Sequence, residues 1–219
     1  MSNQPQPGGV RARGRFIALE GIDGAGTTTQ LDRLAQHYGA RLHATREPST
    51  GPIGREIRRH LAGPVEGHAL DPSALALLFA ADRIDHLRRE IEPALASGVH
   101  VVSDRYLLSS FAYQTLGARR ADVADFNRLA TAPDLTLYVD VSIDVAETRR
   151  ARRGGTAEIF EQRALQVRVR DAYLSEVARL RSEAAPLIEI DGGQPVDAVF
   201  QAVLAAIETC IEAAARQSQ

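Results

Sequence analysis

The sequence predicts an α/β domain, a five-stranded parallel sheet with helices on both faces. Three observations carry this expectation. Five short apolar runs alternate with helical patterns from Arg15 to the last helix. A glycine-rich turn, Gly21–Gly26, joins the first run to the first helical pattern. A chain of 219 residues that is 44% hydrophobic and 25% charged can build one sizeable core.

The elements follow in order. Arg15–Glu20 reads as a strand, and Leu31, Leu34 and Ala35 pace a helix over Thr28–Tyr38. Strand Arg41–Thr45 and helix Ile53–Leu61 come next. A long helix, Ser73–Ser97, should bend at Pro93 and stop at Gly98. Strand His100–Asp104 leads to helices Ser109–Gln114 and Val123–Ala130. Strand Leu135–Val141, helices Val145–Arg153 and Glu161–Ala184, strand Leu187–Asp191 and helix Val196–Ala215 complete the chain. Parallel sheets bind ligands beyond the carboxyl ends of their strands. Gly21–Thr28, Arg46-Glu-Pro48 and Asp104-Arg-Tyr106 should therefore meet there.

No repeat or linker divides the chain, so residues 15–216 should form a single domain. Residues 1–14, rich in Pro, Gly, Gln and Arg, read as a disordered tail without the apolar centre of a signal peptide. No stretch is expected to reach the ~20 apolar residues of a membrane span. The lone Cys210 excludes an intrachain disulfide framework and suits a reducing compartment, with the cytoplasm as the expected location. A net charge of −2 exerts no global pull toward nucleic acid or membrane.

The glycine turn carries the chemistry. Gly21-Ile22-Asp23-Gly24-Ala25-Gly26-Thr27-Thr28-Thr29 matches the phosphate-binding pattern G-x-x-x-x-G-K-[ST], except that Thr27 stands where the lysine belongs. The omission is general, because all 26 lysine-plus-arginine positions are arginine. Codon bias toward arginine does not account for so complete an absence. The loop keeps its other means of holding an anion. Its glycines bring backbone N–H groups close, the following helix adds free donors and a positive dipole end, and Thr28 keeps a hydroxyl for Mg²⁺. A tight strand-to-helix connection is the plainer alternative.

Five motifs occur in order, the glycine turn among them: Glu20–Gly26 (EGIDGAG), Arg46–Pro48 (REP), Leu77–Arg83 (LLFAADR), Ser103–Tyr106 (SDRY) and Pro133–Val141 (PDLTLYVDV). With these, the chain from Phe16 to the last helix resembles the thymidylate kinase family of nucleoside monophosphate kinases. The resemblance implies a three-layer P-loop kinase fold with a short LID at about residues 149–161. It implies phosphorylation of dTMP by ATP with Mg²⁺, on the way to dTTP, in a protein that is usually a homodimer.

The resemblance also assigns roles. Gly21–Thr29 would hold ATP, with Thr28 and Asp104 at the metal. Phe79 and Arg83, one helical turn apart, would stack on the thymine and bond its carbonyl edge. Arg46 and Arg105 would grip the acceptor phosphate with planar forks of donors. Asp23 would accept from the sugar 3′-hydroxyl, Ser110 and Gln114 would contact the base, and Tyr113 would crowd the sugar 2′ carbon. Glu161, in the acidic motif after the LID, would complete the dTMP site. Asp23, Arg105, Arg149 and Arg153 would be catalytic, the last two as LID arginines, since the loop itself has none. From spacing alone other readings stay open: Phe79 as core, Arg83 as a solvated flank, Asp104 paired with an arginine, Tyr113 and Gln114 as plain helix-face residues, and the Arg149–Arg153 run as a solvated helix end. Two rival functions also remain. One is a nucleotide-binding homologue with weak or lost phosphoryl transfer, and the other a kinase for a different deoxynucleoside monophosphate.

Overall fold

β1 (Phe16–Glu20) is buried along its whole length and forms the middle of the sheet. A computed structural model describes residues 12–152 and 159–217. The remaining strands are β2 (Leu42–Arg46), β3 (His100–Asp104), β4 (Leu135–Asp140) and β5 (Leu187–Asp191). They lie in the order β2-β3-β1-β4-β5, and every pairing is parallel. The chain crosses to one side of β1 to make β2 and β3, then to the other for β4 and β5. The carboxyl end of β1 thus opens at the point where the connections reverse, the usual place for a ligand crevice. Register aligns Asp104 with both Leu19 and Arg46, so the three expected segments do converge on one edge.

Side chains of β1 alternate between two cores, as the pleat requires. Ile17 and Leu19 join Leu31 and Leu34 of α1 (Thr27–Tyr38) and Val203 and Ile207 of the last helix. Phe16 and Ala18 join Leu87, Ile91 and Leu95 on the opposite face. Helices therefore cover both faces. The long third helix is interrupted rather than bent. After α2 (Pro52–Leu61), α3 runs over Pro72–His86, a π-helical turn spans Leu87–Ile91, and α4 (Glu92–Ala96) follows. Pro93 explains the π turn, since it has no N–H to donate and its ring crowds the carbonyl of Arg89. Glu92 N–H accordingly bonds back to Leu87 O.

The later helices are α5 (Leu107–Tyr113), α6 (Arg120–Phe126), α7 (Ile143–Ala151), α8 (Ile159–Ser182) and α9 (Val196–Gln217). Contrary to expectation, Val196–Arg216 is long and apolar enough to cross a membrane by composition, with a mean hydropathy of 1.5. In the fold one face of it packs on the core, and 28% of the apolar stretch is buried. Val199, Val203 and Ile207 are buried against the sheet, and Gln201, Glu208 and Glu212 are exposed. At the other end, Arg13 and Gly14, grouped with the tail by composition, are docked: Gly14 N–H donates to Leu95 O at 2.8 Å and Arg13 pairs with Asp134 at 3.0 Å. Residues 1–11 and 153–158, which include the rest of the expected tail and the middle of the LID, lie outside the described residues.

Candidate active site

The turn after β1 takes a shape that only glycine tolerates at its sharpest points. Gly24 has φ 96°, and a Cβ there would lie 2.5 Å from Ala146 O on α7. Gly26 stands at the N-cap of α1 with φ 100°. No side chain caps that helix, and its first turn contains no acid. The N–H groups of Thr27, Thr28 and Thr29 thus remain available to an anion. Thr27 itself is buried beneath the turn.

A cation is nevertheless seated on the loop. Arg149, on α7, donates from one terminal nitrogen to Ala25 O at 3.0 Å and from the other to Gly192 O at 2.8 Å. It therefore ties the phosphate loop, α7 and the loop after β5 together, and its charge is present at the turn. Beside it, Thr28 Oγ1 donates to Asp104 Oδ2 at 2.5 Å. Asp104 Oδ1 is buried and has no hydrogen-bond partner among the described residues. A hydroxyl and an under-satisfied carboxylate next to free helix N–H groups suit a hard cation that shares its shell with phosphate and water. No group of three or more His, Cys, Asp or Glu residues forms a protein-only metal cage among the described residues.

A cavity of about 650 Å³ opens next to this loop. Phe79 and Arg83 from α3, Ser109, Ser110 and Tyr113 from α5, Gln114 just beyond it, and Asp23 and Arg105 all line it. Arg83 is almost wholly buried, not a solvated flank. Its Nε and one terminal nitrogen donate to Glu47 Oε2 at 3.0 and 2.6 Å, and the same terminal nitrogen donates to Tyr106 O at 3.1 Å. Its other terminal nitrogen donates to Asn127 Oδ1. A single N–H of the fork is left. Ser110 and Gln114 line the cavity, and their Oγ and Oε1 atoms are buried without a partner among the described residues. Buried polar atoms seldom stay unpaired, so this wall has the form of one that meets a polar ligand.

Arg105 follows β3 with φ 73°, a left-handed conformation costly for a bulky residue and frequent at functional sites. It donates to Asp23 Oδ1 at 2.5 Å and lies over the Tyr113 ring, 5.0 Å from its centre. Burial alone would lower the Arg105 guanidinium, but Tyr113, Tyr173, Asp23 and Asp104 around it outweigh that and hold it above its ordinary pKa. Burial raises the Tyr113 phenol, although Arg105 partly opposes this.

Not every expected residue is in this wall. Arg46 is exposed at the end of β2 and does not line the cavity. Glu161 belongs to α8, but its side chain is outside the described residues, as is Arg153. Three residues that do belong were not singled out from sequence. Glu47 holds Arg83, and its place inside the REP motif was a usable signal. Arg150 lines the cavity where Arg149 does not, which spacing within an arginine run could not distinguish. Gln166 donates to Asp23 Oδ2 at 3.1 Å and accepts from Asp23 N–H at 3.2 Å. It had no signal, being remote in sequence and an ordinary helix residue.

Comparison with known proteins agrees with this geometry. The family model described as Thymidylate kinase matches residues 19–203. The probable thymidylate kinase of Pyrobaculum aerophilum is 46% identical over 175 residues, covering 80% of this chain and 87% of its own length. The thymidylate kinase of Synechococcus is 44% identical over 174 residues, with 74% and 82% covered. That of Alkalilimnicola ehrlichii is 39% identical over 209 residues, with 91% and 94% covered. With a family match spanning most of its length and relatives this similar, the chain belongs to the thymidylate kinase family.

Proposed function

We propose that the protein transfers the γ-phosphoryl group of ATP to dTMP, giving ADP and dTDP for dTTP synthesis. The observation that carries this reading is the remaining N–H of Arg83 beside Phe79 in the cavity wall. Phe79 offers a face for a base to stack on. The fork offers one donor, which matches a base carbonyl such as thymine O4. Cytosine would present an amino group to the same N–H, donor against donor, and should be rejected.

In the reaction an oxygen of the acceptor phosphate attacks the γ-phosphorus in line, and the bridging oxygen leaves with ADP. Positioning and charge supply the catalysis, and no covalent enzyme intermediate is needed. The N–H groups of Gly24–Thr29 hold the donor phosphates, with Gly21, Ile22 and Asp23 shaping the turn. Arg105 and Arg46 take the acceptor phosphate from the sheet edge. Asp23, held by Arg105 and Gln166, receives the sugar 3′-hydroxyl, and Ser110 and Gln114 meet the base. Tyr113 closes on the sugar 2′ carbon, and Glu161 completes the site from α8. Thr28 and Asp104 would hold Mg²⁺, whose charge offsets that of the phosphates. Arg149 supplies charge at the loop in place of the missing lysine, with Arg150 and Arg153 acting from the LID. We also assign the protein to the cytoplasm and to a homodimer packed through α3 and α5.

Thr27 favours one second reading, a homologue that binds nucleotides but transfers phosphate weakly or not at all. Steady-state ADP release with dTMP, dUMP, dCMP, dGMP and thymidine decides. Turnover should be fastest with dTMP, weak with dUMP and near background with dCMP, dGMP and thymidine. Binding of dTMP without ADP release would select the second reading, and a faster acceptor other than dTMP would replace the substrate.

A further inference from the structure

Glu20, the last residue of β1, is fully buried, and nothing above uses it. A buried carboxylate needs partners, and this one has three. Oε1 accepts Tyr106 N–H at 3.0 Å. Oε2 accepts the hydroxyls of Ser109 and, at 3.2 Å, Tyr173. Those two hydroxyl oxygens are themselves the acceptors for one terminal nitrogen of Arg105, at 3.3 Å for Ser109 and 3.2 Å for Tyr173. The other terminal nitrogen of Arg105 reaches Asp23.

The polarity of this chain is constrained by its proton count. Each hydroxyl has one hydrogen, and an ionised carboxylate can only accept. The two hydroxyl oxygens also lie 2.7 Å apart, so one hydrogen goes to Glu20 and the other to Glu20 or to the neighbouring hydroxyl; either way the lone pairs of Ser109 and Tyr173 are left to face the guanidinium. Were Glu20 to donate instead, the hydroxyl hydrogens would turn outward against the N–H groups of Arg105. The carboxylate therefore orients the arginine without touching the cavity floor where the acceptor would lie.

We propose that Glu20 is a positioning residue for phosphoryl transfer. Through Ser109 and Tyr173 it sets the direction of the Arg105 fork toward the acceptor phosphate. The proposal rests on the assignment of Arg105 to that phosphate. Glu20→Gln is the direct test, because the amide fits in only one orientation, with its oxygen on the Tyr106 N–H and its NH₂ donating to the two hydroxyl oxygens. The hydroxyl hydrogens are then turned away from position 20, toward the N–H groups of Arg105. The tyrosine ring is fixed independently by stacking on Tyr138, with centroids 5.2 Å apart, so loss of the relay need not displace α8.

Titration calorimetry of ATP and of dTMP, each against the parent, Glu20→Gln, Arg105→Ala and the double variant Ser109→Ala/Tyr173→Phe, reads the outcome. Glu20→Gln should raise the dTMP dissociation constant by about 10-fold or more, with ATP changed by less than about twofold. The double variant should reproduce the dTMP defect, and adding Glu20→Gln to it should cost little more, since the effect passes through the hydroxyls. Should Glu20→Gln fail to fold, the double variant alone decides. Parent-like dTMP binding in it, or full additivity with Glu20→Gln, overturns the relay. Equal loss of ATP and dTMP binding overturns it too, as that is general damage. If Arg105→Ala binds dTMP like the parent, the acceptor assignment itself has failed, a result distinct from failure of Glu20.

Discussion

Phe79 and Arg149, as single residues, separate the two halves of the chemistry. Phe79→Ala removes the stacking face from the cavity and leaves the phosphate loop intact. Stacking on a base is worth ~1–3 kcal/mol, so the dTMP constant should rise about 10- to 100-fold while the ATP constant holds. Fluorescence or calorimetric titration checks this, and equal losses for both nucleotides would remove the assignment. Arg149 is a different case because its guanidinium already rests on Ala25 O and Gly192 O. An arginine that arrived only with LID closure would affect turnover alone. A seated one should also contribute to resting ATP affinity. Arg149→Ala is therefore expected to weaken ATP binding and to lower kcat by roughly 100-fold or more, below the ~10³- to 10⁵-fold of arginine fingers that act on turnover alone. Thr27→Lys should restore part of both. If Arg149→Ala turns over dTMP like the parent, the loop's backbone and Mg²⁺ suffice alone.

Between elements, β2 is fastened to α3 and its π turn by a half-buried polar cluster. Thr45 Oγ1 lies 2.7 Å from both His86 Nε2 and Glu90 Oε1, and His43 Nε2 lies 2.7 Å from the same Glu90 oxygen. Burial alone would depress the His86 imidazole, but Glu47, Glu90 and Asp82 around it outweigh that and raise it above its ordinary 6.5. Burial likewise opposes ionisation of Glu90, yet bonds from Thr45 and His43 bring its carboxyl below the ordinary 4.5. The signs follow from linkage. A raised His86 contributes stability that is fully present below pH 6.5 and fades as pH rises through its folded value. Glu90 contributes stability that is present above pH 4.5 and lost on acidification. Urea midpoints measured from roughly pH 6 to 9 should thus fall more for the parent than for His86→Gln. Parallel curves would mean that His86 does not titrate with folding. The same cluster bears on the site, because Glu47 is shared by His86 and Arg83.

For the molecule as a whole, α9 poses a choice that composition cannot settle. A membrane-spanning helix would place its residues in lipid, whereas a core helix has one face on which stability depends. Ile207 is fully buried, and Val196 at the start of the helix is 48% exposed. Ile207→Ala should cost about 2–5 kcal/mol in chemical denaturation, and Val196→Ala less than about 0.5 kcal/mol. Similar small effects from both would argue against the docked helix. Assembly is testable on α3, where Leu77 is 48% exposed on the surface of the helix. Sedimentation should give a dimer for the parent and a monomer for Leu77→Glu, because a charge cannot be buried unpaired at an apolar contact. A monomeric parent would rule out the homodimer.

Local pattern was enough to read the alternation of strands and helices, the place of the phosphate loop and the convergence of Arg46, Asp104 and Arg105 on one edge. These depend on short-range physics: strand and helix periodicities, and a turn whose conformation requires glycine at Gly24 and Gly26. Strands His100–Asp104 and Leu187–Asp191 were legible to the residue, because apolar runs end sharply at the polar edge of a sheet. Helix ends were less so. A helix read as Val123–Ala130 is Arg120–Phe126 in the fold. It stops where the Asn127 side chain turns to accept from Arg83 and to donate to Val123 O. Packing alone settled that Arg83 is buried with Glu47, that Gln166 holds Asp23 from a distant helix, and that Arg149 rather than Arg150 sits on the phosphate loop. Each of these is a contact between groups far apart in the chain. Its energy depends on burial and on which partners remain unpaired, and those quantities exist only once the elements have packed.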